Sequence, residues 1–128
     1  MIYIKQFDNT RNIVDKSKKL FYCTCMKLEN IAKCLAELGH PLRLSAFRIL
    51  IQAGPEGLSV SEIQEYLGIP KSTMSHHISH LISAGLITQT REGRVLRCRV
   101  AFNVIRDVLE YLLKDCCAGV INIQSDGT

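Results

Sequence analysis

No stretch of this chain approaches the roughly 20 consecutive apolar residues that a membrane-spanning helix requires. The first ten residues, MIYIKQFDNT, carry charges and no apolar leader segment, so no signal peptide is expected and the cytoplasm is the expected compartment. Internal repeats and low-complexity tracts are missing. So are a Cys-x-x-Cys pair, a phosphate-binding glycine loop and a carboxylate dyad, and no base stands visibly paired with a thiol. These absences argue against a membrane protein, a multidomain assembly and an enzyme.

What is present fits one small domain. The chain has 128 residues, of which 47% are hydrophobic, enough to bury a core without staples. Lys plus Arg number 16 against 12 Asp plus Glu, a formal net charge of +4. That mild excess permits a nucleic-acid partner without demanding one, so the location of the basic residues matters more than their number. Six cysteines are many for this length. Two readings compete, a disulfide scaffold or cytosolic thiols with metal or redox chemistry, and the lack of a leader favours the second.

Residues 1–26 read as a basic, partly helical N-terminal extension holding Lys5, Arg11, Lys16, Lys18 and Lys19. A domain over 27–117 and a tail over 118–128 follow. Leu28, Ile31, Leu35 and Leu38 recur at helical spacing, with Gly39 placed as a stop and Pro41 as a restart. The next helix is expected over 42–53, with Leu44, Phe47 and Ile51 on its inner side. Ser59-Val60-Ser61-Glu62 has the form of a capping box and opens a short helix that Gly68 ends. Pro70 starts another over 71–83, with Met74, Ile78 and Leu81 inward. Two short helices around a glycine turn form the helix-turn-helix pattern. Residues 87–91 and 94–100 flank Glu92-Gly93 as a β-hairpin, with Leu96, Cys98 and Val100 alternating. A last helix over 101–115 is apolar on two faces, Phe102, Ile105, Leu109 and Leu112 on one and Val104, Val108 and Tyr111 on the other. Two apolar faces call for two partners, the core and a second subunit.

The polar face of the second of the paired helices carries Lys71, Ser72, Thr73, Ser75, His76, His77 and His80. Short hydrogen-bonding and cationic groups at the start of such a helix suit base edges and phosphates in a major groove. The hairpin tip adds Arg91 and Arg94, with Arg97 and Arg99 behind, a basic ribbon suited to a phosphate backbone. Winged helices also serve as protein-interaction modules, a reading that the basic wing weakens. His76 and His80, four apart, have the spacing of a two-ligand metal site, but no carboxylate or cysteine near them in sequence completes it.

Residues 28–114 resemble the ArsR/SmtB family of dimeric winged-helix repressors. The resemblance rests on LAELGHPLRLSAFRIL and on LSVSEIQEYLGIPKSTMSHHISHLISAGLITQTREGRVLRCRV: a Gly-His-Pro-x-Arg entry, a Ser-x-x-Ser-His-His-x-x-x-Leu helix and an Ala-Gly-Leu-Ile…Glu-Gly-Arg wing. It implies a mainly α fold with a β-hairpin wing, a homodimer through the first and last helices, and repression of double-stranded operator DNA relieved by an inducer. The family's Cys-x-Cys site in the first helix of the pair is missing, because residues 58–62 hold no cysteine. Its Asp/His site on the last helix is missing too, because that helix holds no histidine.

What remains is Cys116-Cys117, in the setting Tyr111-Leu112-Leu113-Lys114-Asp115-Cys116-Cys117. This resembles an arsenic-responsive branch whose cysteine pair closes the last helix. As(III) or Sb(III) takes three soft thiolates. The third cysteine of that branch lies a few residues downstream, where residues 118–128 have none. Cys23, Cys25 and Cys34 are the candidates to complete the set. Cys34 and Cys98 also read as core packing. Two other inducers stay open: oxidant or persulfide acting on a pair such as Cys34 and Cys116, and Zn(II), Cd(II) or Pb(II) at Cys23, Cys25, Cys116 and Cys117.

Overall fold

The computed structural model describes residues 26–119. The expected N-terminal extension, with Cys23 and Cys25, and nearly all of the expected tail lie outside the described residues. The chain runs α1 (Leu28–Leu38), α2 (Pro41–Ala53), one 3-10 turn (Gly54–Glu56), β1 (Leu58–Ser59), α3 (Val60–Leu67), α4 (Lys71–Ser83), β2 (Ile87–Glu92), β3 (Val95–Val100) and α5 (Phe102–Leu113). The strands form one antiparallel sheet in the order β1-β3-β2.

Local chemistry sets most of these boundaries. His40 caps α2, its Nδ1 accepting from the Leu42 backbone N–H at 3.1 Å, and Pro41 occupies the first turn, where no N–H is needed. The expected capping box opens α3: Ser59 Oγ accepts from the Glu62 N–H at 3.0 Å, and Glu62 Oε1 accepts from the Ser59 N–H at 2.8 Å. Gly68 closes α3 in the left-handed conformation, φ 65°. The hairpin pairs Ile87 with Val100 through to Glu92 with Val95, leaving Gly93-Arg94 as a two-residue loop. Gly93 alone takes a positive φ, 71°, which matches the right-handed strand twist.

The sequence pattern did not signal β1. Its two residues pair with Cys98 and Arg97 and make β3 the central strand. The approach depends on Gly57, at φ 72°, where a side chain would run into the Cys98 carbonyl oxygen.

The core is one cluster that draws on every helix and on the sheet. Met74, Ile78 and Leu81 point inward from α4 as expected, and Cys98 and Val100 do so from β3. Two faces differ from expectation. On α1 the buried residues are Ile31 and Cys34, with Leu38 half-buried, whereas Leu28 and Leu35 are exposed. On α2 they are Ala46, Phe47 and Leu50, while Leu44 is exposed. Both helices carry apolar residues on more than one stripe, and the stripe that includes a small residue, Cys34 or Ala46, lets the backbones approach. The last helix ends at Leu113 rather than 115, because Lys114 turns extended and Asp115 takes φ 61°. Val108 is its one fully buried residue, and Leu109, Leu112 and Leu113 are exposed. α1 packs against α5.

Candidate nucleic-acid interface

The helix pair is held rigidly where it matters. α3 is fixed at one end by its capping box and at the other by Gly68. Pro70 directs the chain into α4, whose Met74, Ile78 and Leu81 lock it to the core. The opposite face is then set by the helical period. Lys71, Ser72, Ser75 and His76 are exposed, and Thr73 is half-buried. Seven residues were expected on this face, and two of them lie elsewhere.

His77 is 7% exposed, turned in toward His40 with their ring centroids 4.6 Å apart. It follows Met74 by three and precedes Leu81 by four, so the inner stripe takes it. Its Nδ1 is buried without a hydrogen-bond partner among the described residues. Burial, with His40 and Arg43 nearby, pushes its pKa below the ordinary histidine value. His80 is half-buried and committed to Glu37 of α1, Nδ1 to Oε1 at 3.0 Å. Glu37 also meets Lys33 at 3.4 Å and Arg43 at 3.6 Å, and Arg43 Nε donates to the Glu37 carbonyl oxygen at 2.8 Å. The net effect of these cations holds the Glu37 carboxyl below its usual range despite the opposing effect of its desolvation. Sequence reasoning missed this seat for α4. Its signal lay in the Gly-His-Pro-x-Arg segment, which supplies both His40 and Arg43.

The wing divides its four arginines. Arg97 Nε donates to Glu92 Oε1 and Arg99 Nη2 to Glu92 Oε2, each at 3.0 Å, and Arg99 Nη1 donates to Thr90 Oγ1 at 3.0 Å. Arg97 also lies 3.9 Å from Glu62. The hydrogen bonds from Arg99 and Arg97 hold the Glu92 carboxyl below its usual range. Arg91 and Arg94 are exposed at the tip. A helix face of lysine, hydroxyls and one imidazole, flanked by two guanidiniums, presents donors that bases and phosphates accept.

The thiols fall into two groups. Cys34 is fully buried and its Sγ donates to the Ala84 carbonyl oxygen at 3.4 Å. Cys98 is fully buried beside Gln89. Burial raises both thiol pKa values, so neither is a ready thiolate. Cys34, expected as a ligand candidate and as a partner for Cys116, lies enclosed in the core, in keeping with its alternative reading as a packing residue. Cys116 and Cys117 are exposed just past α5, with Sγ atoms 3.1 Å apart. The Cys117 thiol, hydrogen-bonded to that of Cys116, raises the Cys116 pKa. Among the described residues no three metal-ligating side chains converge, and no helix is long and apolar enough to cross a membrane.

A family profile for a helix-turn-helix domain matches residues 38–90. The HTH-type transcriptional regulator MJ1325 of Methanocaldococcus jannaschii is 33% identical over 67 residues, 52% of this chain and 73% of that one. A protein of Halobacterium salinarum named as an arsenical resistance operon repressor, ArsR, is 37% identical over 67 residues, 52% of this chain and 51% of that one. Among solved structures, an ArsR-like transcriptional regulator from a Rhodococcus species superposes with a TM-score of 0.58 at 20% identity, covering 77% of this chain and 84% of that one. The homodimeric winged helix-turn-helix DNA-binding domain of Mb0332 from Mycobacterium bovis gives 0.55 at 21% identity, covering 80% and 91%. The chain belongs to the helix-turn-helix transcriptional regulators, with the winged-helix fold of the ArsR family.

Proposed function

We propose that the protein is a homodimeric repressor that binds operator DNA through α4 and the wing and is released when Cys116 and Cys117 bind a thiophilic inducer, with As(III) or Sb(III) first. The observation that carries the DNA reading is the exposed face of Lys71, Ser72, Ser75 and His76, together with Arg91 and Arg94 exposed at the wing tip. The homodimeric state of the Mycobacterium bovis neighbour supports pairing through the exposed leucines of α1 and α5. Two half-sites one helical turn apart, roughly 34–36 Å, are then the expected target.

The inducer reading rests on the adjacent exposed thiols at the end of α5. They supply two of the three thiolates that As(III) takes. The third comes from Cys23 or Cys25, since the core holds the other two thiols. A tenfold weakening of DNA binding requires about 1.4 kcal/mol of coupling, within the usual range of about 1–3. The close sulfurs also support an oxidant or persulfide as a second class of inducer.

A gel shift on DNA from the protein's own promoter, at fixed salt, tests both parts. Binding that Arg91→Ala and Arg94→Ala weaken is expected. As(III) should release the complex, and the Cys116→Ser, Cys117→Ser double variant should stay bound. Release that is unchanged in the double variant refutes the site.

A further inference from the structure

The recognition helix is seated on the domain through a row of four imidazoles. His40, capping α2, lies 4.6 Å from His77 between ring centroids; His77 lies 5.8 Å from His76; and His76 lies 4.6 Å from His80. The row ends on Glu37, 3.0 Å from His80. The inner half of the row is fixed in place. His40 Nδ1 accepts from the Leu42 N–H at the start of α2. His77 is 7% exposed, and its buried Nδ1 has no acceptor waiting for a proton among the described residues. The charged and titratable groups acting on His77 are His40 and Arg43 from α2, and His76 and His80 from α4. From α1 come Glu37 and its partner Lys33. α3 and β2, the other elements packed on α4, bring no charge among those that act on His77. The one carboxylate at the end of the row, Glu37, is thus already shared among His80, Arg43 and Lys33.

We propose that this row makes the seat of the recognition helix acid-sensitive: protonation of His77, buried with no acceptor for the added proton, sets its charge against that of Arg43 across the α2–α4 contact and lowers the affinity for DNA. The sign is opposite to simple electrostatics, in which added positive charge on a DNA-binding helix strengthens binding. The lowered pKa of His77 gives the direction. The stability that its neutral form contributes is fully present above the ordinary histidine value near 6.5 and is lost as pH falls below it.

The proposal rests on the reading of α4 as the DNA-contacting helix. It is tested by fluorescence anisotropy of a labelled promoter duplex at pH 7.5, 6.5 and 5.5, at constant ionic strength. The unaltered chain is expected to lose affinity about threefold or more between the extremes. His77→Phe, which keeps a ring of similar size, is expected to lose less than about 1.5-fold. Affinity that stays flat or rises on acidification, or an equal loss in His77→Phe, overturns the proposal while leaving the DNA reading intact. Absence of binding at pH 7.5 overturns both. Where His77→Phe does not fold, Glu37→Gln serves: removing the carboxylate that favours a protonated row should move the midpoint of the loss to lower pH, and an unmoved or raised midpoint overturns the proposal.

Discussion

Asp107 is half-buried on α5 with Glu110 one turn further along the same helix. Desolvation, with Glu110 adding repulsion and Arg106 only partly offsetting it, pushes its carboxyl pKa up to about 6. A raised carboxyl pKa means that the folded chain holds the proton more tightly than the unfolded one, so ionisation weakens the fold as pH rises through the interval between about 4 and 6. Asp107→Asn should therefore stabilise the protein at pH 7.5 by about 1 kcal/mol, after discounting for solvent screening of a half-exposed group. Thermal melts should show this gain at pH 7.5 and none near pH 3.5. A lower melting temperature at pH 7.5 would contradict it. At this scale the sequence was readable where one period settled a residue, as for Met74, Ile78 and Cys98. It was not readable for His77, because imidazole suits a DNA face and an inner stripe equally, and only its packing against His40 decides.

The helix-turn-helix owes its orientation to its ends. Replacing Ser59 with Ala removes the acceptor for the Glu62 N–H and half of the reciprocal box. A loss of about 1 kcal/mol is expected from caps of this kind, read as a lower urea midpoint at an unchanged slope. An unchanged midpoint would mean that the wing contact between Arg97 and Glu62 fixes α3 instead. Helices α3 and α4 and the hairpin were legible because caps, glycine stops and alternation agree there. Strand β1 was not, since two residues carry no periodic signal and the strand exists only through pairing with Cys98 and Arg97. The end of α5 was likewise hidden. Its apolar period continues past the residue at which Lys114 leaves helical geometry.

One subunit leaves an unusual amount of leucine uncovered: Leu28 and Leu35 on α1, and Leu109, Leu112 and Leu113 on α5, each between 39% and 68% exposed. Covering this surface with a second copy, as proposed, would account for both the two-faced last helix and the outward stripe of α1. Leu109→Asp with Leu112→Asp should give a folded monomer by light scattering and weaken operator binding more than tenfold, because a single half-site remains. A dimer that survives both changes would place the interface elsewhere. The fold class was legible at this scale from element order alone. The split between core-facing and partner-facing leucines was not, since both sets share the same composition and spacing.

The ion pairs behind the wing tip have a consequence for how far the protein's charge reaches. Arg97 and Arg99 are balanced by Glu92 and Glu62, so on the proposed DNA they would displace few counterions. Arg91 and Arg94 would be left to do so, two per subunit of the proposed dimer. At roughly 0.9 ions released per phosphate neutralised, the two wings of a dimer would account for only about 3.6 of the slope of log affinity against log salt. If α4 and the wing bind DNA as proposed, the wing would then act less as an electrostatic rake than as two discrete contacts per subunit, with Lys71 at the start of α4 adding one more charge.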